Sequence, residues 1–130
     1  MAVEVPARSR IVVWAAAAGD TLAVVVFAAI GRRSHQEGLA VLGVLEVAAP
    51  FLLGALVGWL AGRVWRAPLG PRNGVVVWLA ASVVGLIVRA TFTHRLPPTF
   101  ALIATVSLAI LILGWRAVGF AAARTRRATA

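Results

Sequence analysis

Asp20, Glu46 and Arg89 are the residues of this sequence best placed to do chemistry, because each interrupts a long apolar run. An ionised side chain near the middle of a membrane helix costs roughly 2.5–3.5 kcal/mol on an insertion scale, so each of the three demands a partner. Two acids and one base can pair, or a carboxylate can bind a cation or relay a proton. Trp78, Ser82, Gly85 and Arg89 recur at spacings of four, three and four, and so do Asp20, Val24, Phe27 and Gly31. Helical periodicity lays each set along one stripe, the second leading up to Arg32 and His35. The expected site is a buried polar or ligand-binding cluster of Asp20, Glu46 and Arg89, with Ser82 and Thr21 assisting and Arg32, Ser34 and His35 near its outer end. The competing reading of the same residues is a structural ion pair that specifies helix packing and carries nothing.

Other chemistry lacks the residues it needs. The chain has no Cys, which removes disulfides, thiol catalysis and thiolate metal sites. His35 and His94 are the only histidines, and no further ligand set accompanies them, so neither a metal nor a cofactor is expected. No Ser-His-Asp order, phosphate-binding glycine loop or paired-carboxylate hydrolase pattern is present, and the chain is not expected to be an enzyme.

The elements that must position these residues follow from hydropathy. Apolar residues make up 62% of the 130 and charged residues 13%, too few to cover a soluble surface. The mean hydropathy of +0.95 agrees. Four runs of about twenty apolar residues each match the length a helix needs to cross roughly 30 Å of hydrocarbon. They are expected at residues 11–30, 39–62, 74–92 and 99–120, with a kink near Pro50 in the second. The predicted fold is all-α, a single-domain polytopic membrane protein with a compact bundle of four transmembrane helices. The run after Arg8 and Arg10 is long, carries Asp20 and ends in Gly31-Arg32-Arg33 without a clean small-x-small cleavage site, and so reads as a retained first helix.

An even number of spans puts both termini on one side. Nine arginines fall at the termini and in the central loop, and four (Arg32, Arg33, Arg89 and Arg95) on the other side. By the positive-inside rule both termini are cytoplasmic, and the expected location is the plasma membrane. All five tryptophans fall near the cytoplasmic ends of their spans, where an aromatic belt belongs. The net charge of +9 is spread over helix ends instead of one basic face, which argues for anionic headgroups as partners and against nucleic acid.

Gly54, Gly58 and Gly62 form a small-xxx-small ridge on the second helix, read as a packing surface within the protomer, although the motif serves equally between protomers. Val12-Val13-Trp14 and Val76-Val77-Trp78 hint at a duplicated helical hairpin.

Gly19-Asp20, the stretch Phe27 to His35 with its Gly31-Arg32-Arg33-Ser34-His35 turn, Ala49-Pro50-Phe51-Leu52-Leu53-Gly54, Gly85 to Arg89, Phe100 and Gly114-Trp115-Arg116 together resemble a prokaryotic membrane family catalogued as domain of unknown function 3054. The resemblance implies a small multi-pass protein of four helices, with no established activity or cofactor. It directs attention to Asp20, Arg32, Ser34, His35, Pro50, Arg89 and Arg116.

The leading expectation is a transport or channel-like protein in which Asp20 and Glu46 titrate or bind a cation, balanced by Arg89 and Arg32. Four short helices enclose little volume, so a homodimer is the expected form. The alternatives are a structural or accessory membrane subunit and a binding protein for a hydrophobic ligand or haem.

Overall fold

In hydrocarbon every backbone N–H and C=O must be satisfied within its own segment, so each apolar run folds as a helix. The computed structural model describes residues 7–34 and 38–129. It contains α1 (Ala7–Ser34), α2 (Val41–Ala61), α3 (Pro71–Thr93) and α4 (Pro98–Thr129), with a short 3-10 turn at Val64–Arg66 between α2 and α3. No strand occurs among the described residues. All four helices are long and apolar enough to span a membrane. α2 runs through Pro50 as one helix.

The outer helices are longer than the apolar runs alone imply. α1 begins at Ala7, and α4 continues through Arg124 to Thr129, beyond the expected end at residue 120. Alanine and arginine are good helix formers, which carries both helices beyond their apolar stretches.

Turn chemistry sets the connections. Gly38 takes a φ of +79°, a conformation that glycine adopts without steric cost, just before α2 begins. Pro71 sits at the start of α3, where its missing N–H costs nothing. α3 ends at His94, which is left-handed (φ 55°) and donates its backbone N–H to the Ala90 carbonyl.

The helices pack in a ring, α1 on α2, α2 on α3, α3 on α4 and α4 back on α1. The α2–α3 contact is the tightest, because the glycine ridge lies against α3. A Cβ on Gly54 would stand 2.7 Å from the Ala80 carbonyl oxygen, and one on Gly58 2.9 Å from the Ala80 Cβ. Above the ridge the Phe51 ring fills the space left by Gly85 and meets Phe27 edge-on, with centroids 5.0 Å apart. On the other side of α3, the Trp78 indole N–H donates to the Thr105 carbonyl of α4 at 2.8 Å. Interhelical hydrogen bonds in membranes contribute about 0.6–2 kcal/mol. Trp78→Phe is therefore expected to lower the thermal midpoint of the detergent-solubilised protein modestly, by an amount equivalent to about 1 kcal/mol.

Candidate functional site

Asp20 lies on the inward face of α1, 2% exposed, and α4 supplies its main partner. Thirteen residues separate Asp20 from the start of α1 and thirteen separate Arg116 from the end of α4, so both sit about 20 Å along their helices from the termini. Arg116, 3% exposed, meets the carboxylate in a fork: Nη1 donates to Oδ1 at 2.6 Å and Nη2 to Oδ2 at 2.8 Å. Two indoles complete the arrangement. Trp115 Nε1–H donates to Oδ1 at 2.9 Å, and Trp59 Nε1–H, from α2, donates to Oδ2 at 2.8 Å.

A carboxylate offers about four lone-pair sites, and here four donors occupy them. The guanidinium is equally engaged, since Nε donates to the Pro68 carbonyl in the α2–α3 connection at 2.9 Å and Nη1 also reaches the Ile112 carbonyl at 3.3 Å. Its guanidinium carbon lies 4.4 Å from the Trp115 ring centroid. Small residues make the room: a Cβ on Gly19 would stand 3.0 Å from the Trp115 ring, and one on Gly74 2.8 Å from Arg116 Cδ. The site thus ties α1, α2, α4 and the α2–α3 connection together. Chemically it is a saturated, charge-neutral fastening with no lone pair directed at a cation.

The expected Asp20, Glu46 and Arg89 cluster is not what the helices assemble. Glu46 is exposed on the outside of α2, about five residues into the helix. Arg89 lies near the opposite end of α3 from the fastening and stacks on Phe100 of α4, with its guanidinium carbon 4.4 Å from the ring centroid. Glu46 is on a face of α2 turned away from the bundle, and Arg89, although it shares a stripe with the buried Ser82 and Gly85, lies at a different level from Asp20. Ser82 is buried, but its hydroxyl meets no partner among the described residues, and it does not bond Asp20. Arg32 bonds the Gly38 carbonyl through Nε at 3.0 Å, with its guanidinium lying over Gly43. His35 and the side chain of Ser34 lie outside the described residues. His94 is exposed at the end of α3. The described residues contain no group of three or more His, Cys, Asp or Glu.

Three partners of Asp20 escaped sequence reasoning. Arg116 is counted there as a flanking charge, although the Gly114-Trp115-Arg116 motif marks it, and Trp59 and Trp115 are assigned to an interfacial belt. Of the five tryptophans only Trp14 and Trp65 are exposed. The available signal was the repeated Gly-Trp at 58–59 and 114–115, which puts an indole from each of two helices at the depth of Asp20.

At the far end of the bundle from the fastening lies a cavity of about 800 Å³ between α1 and α4. Phe27 and Ile30 of α1, Val47 of α2, and Phe100, Ile103 and Leu111 of α4 form its apolar wall. Its mouth, at the α3–α4 turn, carries Arg32, Arg89 and Arg95. The lining extends along α4 from Thr99 to Leu111, about 18 Å at 1.5 Å per residue.

Four apolar helices, fastened at one level by a buried ion pair and hollowed at another by a cavity, define a multi-pass membrane protein. The chain belongs to the family described as Protein of unknown function (DUF3054), whose model matches residues 17–119. The matched stretch begins just before Asp20 and ends just after Arg116, so it contains both halves of the ion pair. No curated protein and no solved structure matches the chain.

Proposed function

We propose that this protein is a non-catalytic binding protein of the plasma membrane that holds an amphipathic molecule taken from the bilayer in the cavity between α1 and α4. The observation that carries the reading is the cavity itself. Its volume falls in the 300–1,000 Å³ range typical of ligand pockets, and its walls are apolar with a few polar groups at one end, as such sites commonly are. Its length of about 18 Å along α4 approximates one leaflet's share of a hydrocarbon core roughly 30 Å thick. The arginine bias of the termini and central loop supports cytoplasmic termini, with the cavity mouth at the outer surface. Ion-coupled transport through Asp20 has less support, because that carboxylate's acceptor sites are filled by Arg116, Trp59 and Trp115.

Gly31 offers a clean test. It lines the cavity, and a Cβ there would meet nothing within 4 Å. Gly31→Phe therefore starts from a Cβ that meets no neighbour, its ring is expected to occupy cavity space, and it replaces a poor helix former by a better one. With the protein reconstituted beside phosphatidylcholine bearing a diazirine in its acyl chain, photolabelling of the wild type is expected to concentrate on residues 100–111. In Gly31→Phe that labelling is expected to fall several-fold while the melting temperature holds. Labelling spread evenly over the lipid-exposed faces of all four helices, and indifferent to the substitution, would refute the reading.

A further inference from the structure

The arginines at the cavity mouth have a feature the binding reading does not use. Among the described residues, neither Arg89 nor Arg95 is paired with a carboxylate, and the residues lining the cavity include no acidic side chain. Arg116, by contrast, is given a bidentate carboxylate and two carbonyls. Arg89 is half-buried within the last two turns of a membrane-spanning helix, where an ionised side chain ordinarily marks a functional site with a partner. Its one described side-chain contact is the Phe100 ring. Stacking on an aromatic face holds a guanidinium plane in place and leaves the N–H groups along its edge to donate.

Two further features reinforce the positive character of this end. α4 begins at Pro98 beside the mouth, so the positive end of a 32-residue helix lies among the same residues. Its Thr99 and Phe100 also line the cavity. Arg32 adds charge on the α1 side while remaining engaged with the Gly38 carbonyl, so the argument rests on Arg89 and Arg95.

We propose that the occupant is a phosphate-headed anionic lipid of the leaflet at the α3–α4 turn, its head held by Arg89 and Arg95 and one chain lying along α4. This rests on the binding reading above and names its ligand. An anionic phosphate matches the mouth in charge, and guanidinium binds phosphate oxygens through paired N–H donors. The apolar wall below takes the chain, and the depth of one leaflet sets its reach. A soluble phosphate compound would engage the mouth and leave the wall uncovered. A zwitterionic lipid would cover the wall but bring its own cation along with its phosphate, leaving the positive charge of the mouth uncompensated.

Competitive photolabelling in nanodiscs tests this. With diazirine-bearing phosphatidylcholine as the reporter at residues 100–111, unlabelled phosphatidylglycerol is expected to displace it about tenfold more effectively than unlabelled phosphatidylcholine. Glycerol phosphate in the medium should displace little. The double variant Arg89→Gln/Arg95→Gln is expected to abolish the tenfold preference while the reporter still labels the cavity, and Arg95→Gln alone, on an exposed side chain, should reduce it. If phosphatidylglycerol and phosphatidylcholine compete equally in the wild type, or if the preference survives in the double variant, the anionic-lipid assignment is wrong and the binding reading stands. If glycerol phosphate competes as well as the lipid, the chain is not part of recognition and the assignment also fails. If the reporter never labels residues 100–111, both readings fall together.

Discussion

Arg116→Met alone is expected to destabilise the protein strongly, and Asp20→Leu and Arg116→Met combined are expected to cost clearly less than the sum of the two single losses. The single substitution leaves the Asp20 carboxylate buried with only the two indole donors of Trp59 and Trp115, and no positive charge to balance it. Breaking a buried ion pair by removing one partner costs about 3–5 kcal/mol, whereas replacing both partners with apolar residues of similar volume is often near neutral. Complete neutrality is not expected here, because the double variant also orphans the two indole N–H groups and the Pro68 carbonyl that Arg116 Nε satisfies. Each unsatisfied group costs about 1–3 kcal/mol, although the Pro68 carbonyl lies in a connection and is better placed to recover a partner. The measurement is a double-mutant cycle on thermal unfolding in a mild detergent, read by tryptophan fluorescence. A favourable coupling energy of about 2 kcal/mol or more between the two positions is the expected result. Additive losses would mean that Asp20 and Arg116 act independently, contrary to the fork of hydrogen bonds between them.

Gly54→Val is the second large effect. A Cβ at this position would stand 2.7 Å from the Ala80 carbonyl oxygen and 2.8 Å from the Ala81 Cα, both backbone atoms of α3 that cannot rotate away. Valine adds two methyl groups beyond that Cβ, so α2 and α3 must separate. Overpacking a close-packed interior costs about 1–3 kcal/mol and occasionally more, and a clash with backbone belongs at the upper end. Gly114→Ala is the natural control. It is also a helix glycine, but a Cβ there meets nothing within 4 Å. The melting temperature is expected to drop sharply in Gly54→Val and to hold or rise slightly in Gly114→Ala. Equal tolerance of both would place the glycine ridge away from α3.

The contrast between these two sites shows which parts of the molecule could be read beforehand. Gly54, Gly58 and Gly62 announce a packing surface because a spacing of four on a helix makes one ridge whatever lies opposite. The number of spans and their approximate limits were legible for a similar reason: hydrocarbon demands some twenty apolar residues per crossing, and Gly38, Pro71 and Pro98 lie where the crossings begin. The ends were less legible. α4 runs thirteen residues past Arg116, because helix propensity carries it beyond the apolar stretch that hydropathy detects. Arg116 falls inside the expected span 99–120 and is nonetheless counted with the terminal arginines, because its side chain lies within reach of that span's end.

Asp20 carries the deeper distinction. That it needed a partner was evident from the cost of a lone carboxylate in a membrane. Arg116, Trp59 and Trp115 became that partner through the rotation of each helix about its axis and the order in which the four close into a ring. Depth along a helix is additive in residue number, at 1.5 Å each, and can be counted; the face a helix turns to its neighbour depends on every contact it makes at once. Glu46 failed by rotation, being exposed on the outside of α2, and Arg89 by level, its stripe meeting Phe100 near the start of α4. The cavity between α1 and α4 belongs to the same class of fact. Arg89 and the other arginines of its mouth apart, the helix residues of its wall are ordinary for a membrane helix, and it exists because two helices held together at Asp20 and Arg116 leave space between them further along.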